Sequence, residues 1–335
     1  MNEVYINSIV IDLVAPILDP MRDRIDEYLD LYIEGGITAV GPTVAIDNDF
    51  DEALRIFTKW YEVIHRRKEL MVIRRVKDFE TAKKEGKLGL VMHFQNSVPI
   101  GLDLNRLPIL HALGLRVVQL TYNRRNFVGD GCTVPEDGGL TDFGRKMIAA
   151  LNENGIVVDM SHTSIRTTME AMEATTKPPI FSHNNVNEIH PSLRAVNREQ
   201  IRAVAAKRGV VGLVGCEYFI TSKSDKKVDD LVRHADFIAE EVGTDYISLG
   251  IDHYWGHGPH ATLEDQWAMY NHQISTGTWD PSTWPQPPLK HIDGMETPAT
   301  THNLANAFAK NGYKDEDIRK ILGGNLIRVF QENWV

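Results

Sequence analysis

VVDMSH (157–162) and PPIFSH (178–183) decide the reading of this chain. Each is a short apolar run that closes on a histidine, so each reads as a strand with an imidazole at its carboxyl end. In a parallel α/β barrel the carboxyl rim of the strands is where loops converge and chemistry is done. Neutral imidazole is the commonest ligand for zinc and related metals. His162 and His183 therefore anchor a candidate metal site. The plain alternative is a pair of rim histidines hydrogen-bonded to backbone.

Working outward, runs of the same kind recur with helical stretches between them: 8–14, 37–44, 88–94, 116–122, 156–162, 178–183, 209–215 and 246–252. Strands that are apolar throughout are buried on both faces, which implies a parallel sheet covered by helices. Eight such units over about 250 residues make a (β/α)8 TIM barrel, with MVIRR (71–75) as an extra short strand. Two helices carry their own punctuation. One opens on Thr141 and closes on Gly155; the other opens on Asn197 and closes on Gly209. Residues 1–335 read as a single barrel domain, interrupted after the last strand by a long loop insertion from about 254 to 288, rich in Trp, His, Gly and Pro.

The formal charge of −10 leaves no basic surface to attract nucleic acid. The apolar runs are too short to span a bilayer, and MNEVYINS lacks the start of a signal peptide, so a cytoplasmic protein with no membrane partner is expected. Two cysteines, Cys132 and Cys216, form neither a disulfide framework nor a thiolate cluster.

Once the strands are set, their carboxyl-end residues can be read off. They are Gln95 after the third, Tyr122 after the fourth, His162 after the fifth, His183 after the sixth and Asp252 after the eighth. Two histidines and an aspartate suit one divalent metal, and an unliganded aspartate beside a metal-bound water can take its proton. Arg194, in HPSLRAVN, offers a planar fork for a substrate carboxylate, or else makes a surface ion pair. Tyr218 and His253 are the remaining candidates for substrate contact.

The stretches LTYNRRNFVGDGC, EDGGLTDFGRKMIAALNENGIVVDMSHTS, PPIFSHNN and HPSLRAVN, followed by YISLGID and ILGGNLIRVF, together resemble the membrane (renal) dipeptidase family of the amidohydrolase superfamily. The resemblance implies a barrel, often dimeric or otherwise homo-oligomeric, whose typical members hydrolyse dipeptides with two zinc ions. By position it makes His162 and His183 the histidines of one metal site, Arg194 the carboxylate clamp and Asp252 the acidic residue beside the attacking water. The sequence departs from that pattern at four places. Val14 and Pro16 stand where the family carries a His-x-Asp pair, Gln95 stands for the bridging glutamate, and Tyr122 stands for a histidine. His93, His253, His257 and His260 are possible replacement ligands, with a hydrogen-bonded core histidine the default for His93 and a solvent loop or lid for the others.

Three functions remain open at this stage. The first is a hydrolase or lyase with one metal ion, zinc foremost, acting on a small carboxylate- or amide-containing molecule, with Asp252 as base and Tyr122 as donor to the developing oxyanion. The second is metal-independent acid–base chemistry by His162 and Asp252. The third is a non-catalytic small-molecule binder descended from an enzyme.

Overall fold

The computed structural model describes residues 1–17, 20–21, 24–254 and 261–334. Ten strands run in chain order: β1 Ile11–Ala15, β2 Ala39–Ala45, β3 Leu70–Val72, β4 Leu88–Leu90, β5 Met92–Phe94, β6 Leu115–Gln119, β7 Val157–Asp159, β8 Ile180–Phe181, β9 Val210–Leu213 and β10 Ile247–Leu249. All pairings between them are parallel. β4 and β5 are one run interrupted at Val91; the first half pairs with β2 and β3, the second with β2 and β6. Counted so, eight staves follow one another from β1 to β10, and β3 is the extra strand, added outside β4. The ring closes where the Asp252 N–H donates to the Val14 carbonyl at 3.1 Å, which brings the last strand end against the first. The fold is a (β/α)8 barrel.

Strand alternation sorts the core into two layers. Val117, Val157, Ile180 and Val210 turn inward and pack with Leu326, Val329 and Phe330 of the helix Asn325–Asn333. Their neighbours Val118, Val158, Phe181 and Val211 turn outward against the helical shell. Two residues further along the inward faces of β6, β7 and β8 the lining turns polar, with Gln119, Asp159 and Ser182 all buried. The interior thus grades from an apolar floor to a polar rim, and that gradient positions the site.

The local signals behave as their chemistry requires. The Thr141 hydroxyl caps Asp142–Glu153 by accepting from the Gly144 N–H, and Asn197 with Gln200 forms a reciprocal capping box on Arg198–Ala206. The stretch after the last strand differs from the expected loop: within it lies the helix Leu263–Ser275, started by a Thr262/Asp265 capping box. Its Tyr270 then packs with Trp279, Trp284 and Leu289 against Val214 and Phe219, so the insertion has an apolar cluster of its own over the barrel. Among the described residues no helix is long and apolar enough to cross a membrane.

Candidate active site

Six strand ends converge on one cavity: Gln95, Tyr122, His162, His183, Tyr218 and Asp252 all line it, and Arg194 enters from the loop after β8. Pro16 also lines it, from the first-strand side, while Trp279 and Trp284 of the insertion close it from above. His253 is not among the lining residues. Its ring is buried, with Nε2 3.1 Å from the Met295 carbonyl and Nδ1 3.7 Å from Asp12 Oδ2, while the Tyr28 hydroxyl donates to its backbone carbonyl. Its ring is thus engaged by Met295 and Asp12 in this structure. His257 and His260 lie outside the described residues. His93 is a core residue, one layer below Gln95, with Nε2 3.2 Å from the Asp159 carboxylate.

Two of the rim residues hold left-handed backbone, His162 at φ 63° and Asp252 at φ 62°. Few non-glycine residues do so, and such strain concentrates where a chain must aim a side chain. The surroundings fix both turns: the Cys132 N–H binds the His162 carbonyl at 2.7 Å, and Asp252 is tied to Val14 across the barrel seam.

The imidazoles face each other. His162 Nε2 and His183 Nε2 stand 2.9 Å apart. The other nitrogen of each ring is already engaged. His162 Nδ1 meets Asn123 Oδ1 at 2.7 Å, and that amide is oriented because its Nδ2 donates to the Thr278 carbonyl at 2.5 Å. His183 Nδ1 meets Ser182 Oγ at 2.7 Å, and the same hydroxyl donates to Asp159 Oδ2 at 2.5 Å. Burial alone would raise Asp159, but His93, His183 and the Ser182 hydroxyl hold its pKa at about 2, so it is an anion and an acceptor. Read through these partners, each imidazole carries its proton on Nδ1, and two Nε2 lone pairs point at one another. Burial, reinforced by the charge of Arg194, drives both rings well below the usual histidine range, so neither is protonated near neutral pH. Facing lone pairs cannot bond each other; they suit a cation or a shared proton.

Asp252 and Arg194 complete the charge pattern. Burial raises Asp252 against the pull of Arg194, and nearby Asp12 raises it further, to a pKa of about 7. Its Oδ2 lies 3.8 Å from Cys216 Sγ, and its Oδ1, though buried, has no hydrogen-bond partner among the described residues. Arg194 is buried as well. Its Nη2 donates to the His183 carbonyl at 3.1 Å, whereas its Nε and Nη1 have no hydrogen-bond partner among the described residues. Two orphaned guanidinium donors opening on a cavity are a receptor for an anion. Tyr122 stacks on His162 with ring centroids 4.1 Å apart, and burial followed by the field of Asp252 keeps its hydroxyl protonated.

Among the described residues, the atoms placed to hold a cation are the facing Nε2 nitrogens of His162 and His183. Val14 and Pro16 offer no metal-binding atom, Gln95 is neutral, and among the described residues no group of three or more His, Cys, Asp or Glu side chains is assembled to hold a metal. The pair of Nε2 lone pairs is the metal-binding chemistry that remains. Reading the strand ends missed Asn123, Ser182 and Asp159. Strand parity could have found Asp159 and Ser182, which share the inward faces of β7 and β8; Trp279 and Trp284 gave no such signal.

The fold and the site define a class: a (β/α)8 barrel with its chemistry at the carboxyl rim. The family model for membrane dipeptidases (peptidase family M19) matches residues 32–271, and the chain belongs to that family. Dipeptidase tcpJ from Claviceps purpurea is 25% identical over 283 residues, 83% of this chain, but the chain spans only 57% of that curated relative. An amidohydrolase from Pseudomonas aeruginosa superposes with a TM-score of 0.89 at 27% identity, covering 99% of this chain and 98% of the other. A metallopeptidase from Rhodobacter sphaeroides, liganded with a phosphinate mimic of the dipeptide L-Ala-D-Ala, shares the fold with a TM-score of 0.79 at 19% identity, covering 98% of this chain and 100% of its own.

Proposed function

We propose that this protein is a hydrolase, or a lyase of related chemistry, acting on a small molecule with a carboxylate and an amide-like bond, and that it uses one divalent cation, zinc foremost, on Nε2 of His162 and His183. The single observation that supports the cation is the pair of Nε2 atoms 2.9 Å apart with both Nδ1 atoms engaged elsewhere. Such anchoring of the second nitrogen is the usual support of a metal-binding histidine. Bound there, the metal would polarise a carbonyl and lower the pKa of a water. The remaining roles belong to the chain. Arg194 Nε and Nη1 hold the substrate carboxylate, Asp252 Oδ1 accepts the proton of the attacking water, and the Tyr122 hydroxyl donates to the oxygen that gains charge. Gln95 and Tyr218 line the substrate cavity beside them. Two-zinc hydrolysis of dipeptides is not what this donor set supports.

Metal analysis tests the reading, because protein purified without added zinc should carry about one ion per chain at most, held less firmly than by the three ligands of an ordinary catalytic zinc site. Zinc titration should give one site in the wild type, one in Gln95→Glu, and two only in the triple variant Val14→His, Pro16→Asp, Gln95→Glu. Two tight sites in Gln95→Glu alone would overturn the assignment. A metal-free protein with full activity would favour the second reading, in which His162 and Asp252 act as acid and base. What supports that reading is Asp252, which burial pushes up to a pKa of about 7, the range a general base needs near neutral pH.

A further inference from the structure

PPIFSHNN (178–185) closes on two asparagines that the proposed chemistry does not use, Asn184 and Asn185, both of them buried. An amide is donor and acceptor at once, so a buried asparagine can tie together segments that are distant in the chain. Each of these does so. Asn185 Nδ2 donates to the Val214 carbonyl at 2.9 Å and to the Phe219 carbonyl at 3.1 Å, while its Oδ1 accepts from the Val214 N–H at 3.3 Å. It thereby fixes the chain around Phe219, whose ring lies 5.9 Å from the Arg194 guanidinium.

Asn184 acts on Arg194 itself. Its Nδ2 donates to the Arg194 carbonyl at 2.7 Å, and its Oδ1 accepts from the Ser161 hydroxyl at 2.6 Å. Ser161 Oγ accepts in turn from the His183 N–H at 3.2 Å, and the His183 carbonyl accepts from Arg194 Nη2 at 3.1 Å. These bonds close a cycle, Ser161 to Asn184 to Arg194 to His183 and back, in which each residue donates to the next. Such an order lets every bond polarise its neighbour. All the members are buried, and Asn184 is itself anchored, because its N–H donates to the Gly212 carbonyl at 2.6 Å.

The neighbouring residue shows what the cycle is for. Leu193 is 56% exposed, so the loop that carries Arg194 lies open to solvent one position away. A long arginine side chain on such a loop has much rotamer freedom to lose before it can hold a ligand. The cycle removes that freedom beforehand. It grips Arg194 at both ends, by the carbonyl and by Nη2, and does not engage Nε or Nη1.

We propose that Asn184 is a positioning residue that presets Arg194 for a carboxylate, so that little order remains to be imposed when the ligand binds. This rests on the reading of Arg194 as the carboxylate clamp.

Nuclear magnetic resonance of protein labelled with ¹⁵N at arginine Nε tests it, with N-acetylglycine as the ligand. The protein is studied as isolated and after chelation, so that a carboxylate held by a cation is told apart from one held by Arg194; the expected changes are the same in both. Arg194→Gln assigns the Arg194 signal. In the wild type that Nε–H should be as rigid as the backbone and should shift on titration. Asn184→Leu should release it to fast motion and weaken N-acetylglycine by about 3–10-fold, the effect of ordering one long side chain at the moment of binding. Ser161→Ala, which removes a single oxygen, leaves the amide without the hydroxyl that orients it. It should move both readouts the same way by less, and it decides the matter if Asn184→Leu does not fold. An Arg194 as rigid as in the wild type, or N-acetylglycine bound as tightly, would overturn the proposal, since Asn184 would then only stabilise its loop. If Arg194→Gln itself binds N-acetylglycine as the wild type does, the clamp reading fails and the proposal falls with it.

Discussion

The two sides of the barrel mouth are built to different rules. On the side of β7 and β8 nearly every polar atom is matched: Asn123 holds His162, Ser182 and Asp159 hold His183, and the Ser161 and Ser182 N–H groups both donate to Asp159 Oδ1. On the side of β1 and β10, Asp12 Oδ2, Asp252 Oδ1 and His253 Nδ1 are buried without hydrogen-bond partners among the described residues. Matched atoms give a rigid pair of donors. Unmatched carboxylate oxygens give a group whose charged form is penalised, which is how Asp252 reaches neutrality in its titration. A site that must both hold and react divides those tasks between its two sides.

The matched side should be the harder to lose. Replacing His162 or His183 with alanine should lower kcat/KM by at least about 10³-fold and abolish metal binding, and the double variant should be no worse than either single one, because residues acting as a unit are not additive. Steady-state kinetics with metal analysis checks this. Full metal content in either single variant would break the comparison.

Asp252→Asn sharpens the other side. As a general base, Asp252 should contribute about 10²–10⁴-fold to kcat, and wild-type kcat/KM should rise with pH through about 7 and then level off. Stability should move the opposite way. A carboxyl whose folded-state pKa is raised holds its proton more tightly when folded, so its contribution is intact below the ordinary range near 3.8 and is lost as pH climbs through about 7. In metal-stripped protein at pH 8, Asp252→Asn should therefore be the more stable by about 1–3 kcal/mol, a gap that closes at pH 4. Denaturant melts at the two pH values would expose the opposite sign if Asp252 is instead a stabilising anion.

The smallest effect concerns the link between the two sides of His162. Asn123→Leu should weaken metal binding by about 10–100-fold by releasing the ring, whereas Asn123→Asp, which keeps the acceptor, should restore most of it. The ¹⁵N shifts of the imidazole report the Nδ1–H tautomer directly. An unchanged tautomer in Asn123→Leu would show that the ring is held by packing against Tyr122 instead.

The legible part of this protein lies along single strands. VVDMSH and PPIFSH each end at the rim, so His162, His183 and the other strand-end residues, Gln95, Tyr122 and Asp252, could be assigned to one cavity before any contact was known. MVIRR proved a true edge strand, at Leu70–Val72, for the same local reason. Less legible was His253, one residue past the left-handed Asp252, whose ring nitrogen meets the carbonyl of Met295, 42 positions away. The helix Leu263–Ser275 was hidden by a composition of Trp, His and Gln whose apolar face is weak.

The sequence by itself determined the barrel, the rim positions and the absence of the first-strand ligands, because strand period and residue chemistry are properties of neighbours in the chain. The tertiary structure alone decided how those residues act. Asn123 is oriented by the carbonyl of Thr278, 155 positions away, and Trp284 reaches the face of His162 from the far end of the insertion. The 2.9 Å between the two Nε2 atoms depends on the register of β7 against β8 and on partners gathered from three loops. Contacts of that range leave no period in a sequence, since the free energy that fixes them comes from packing surfaces that do not exist until the chain has closed on itself.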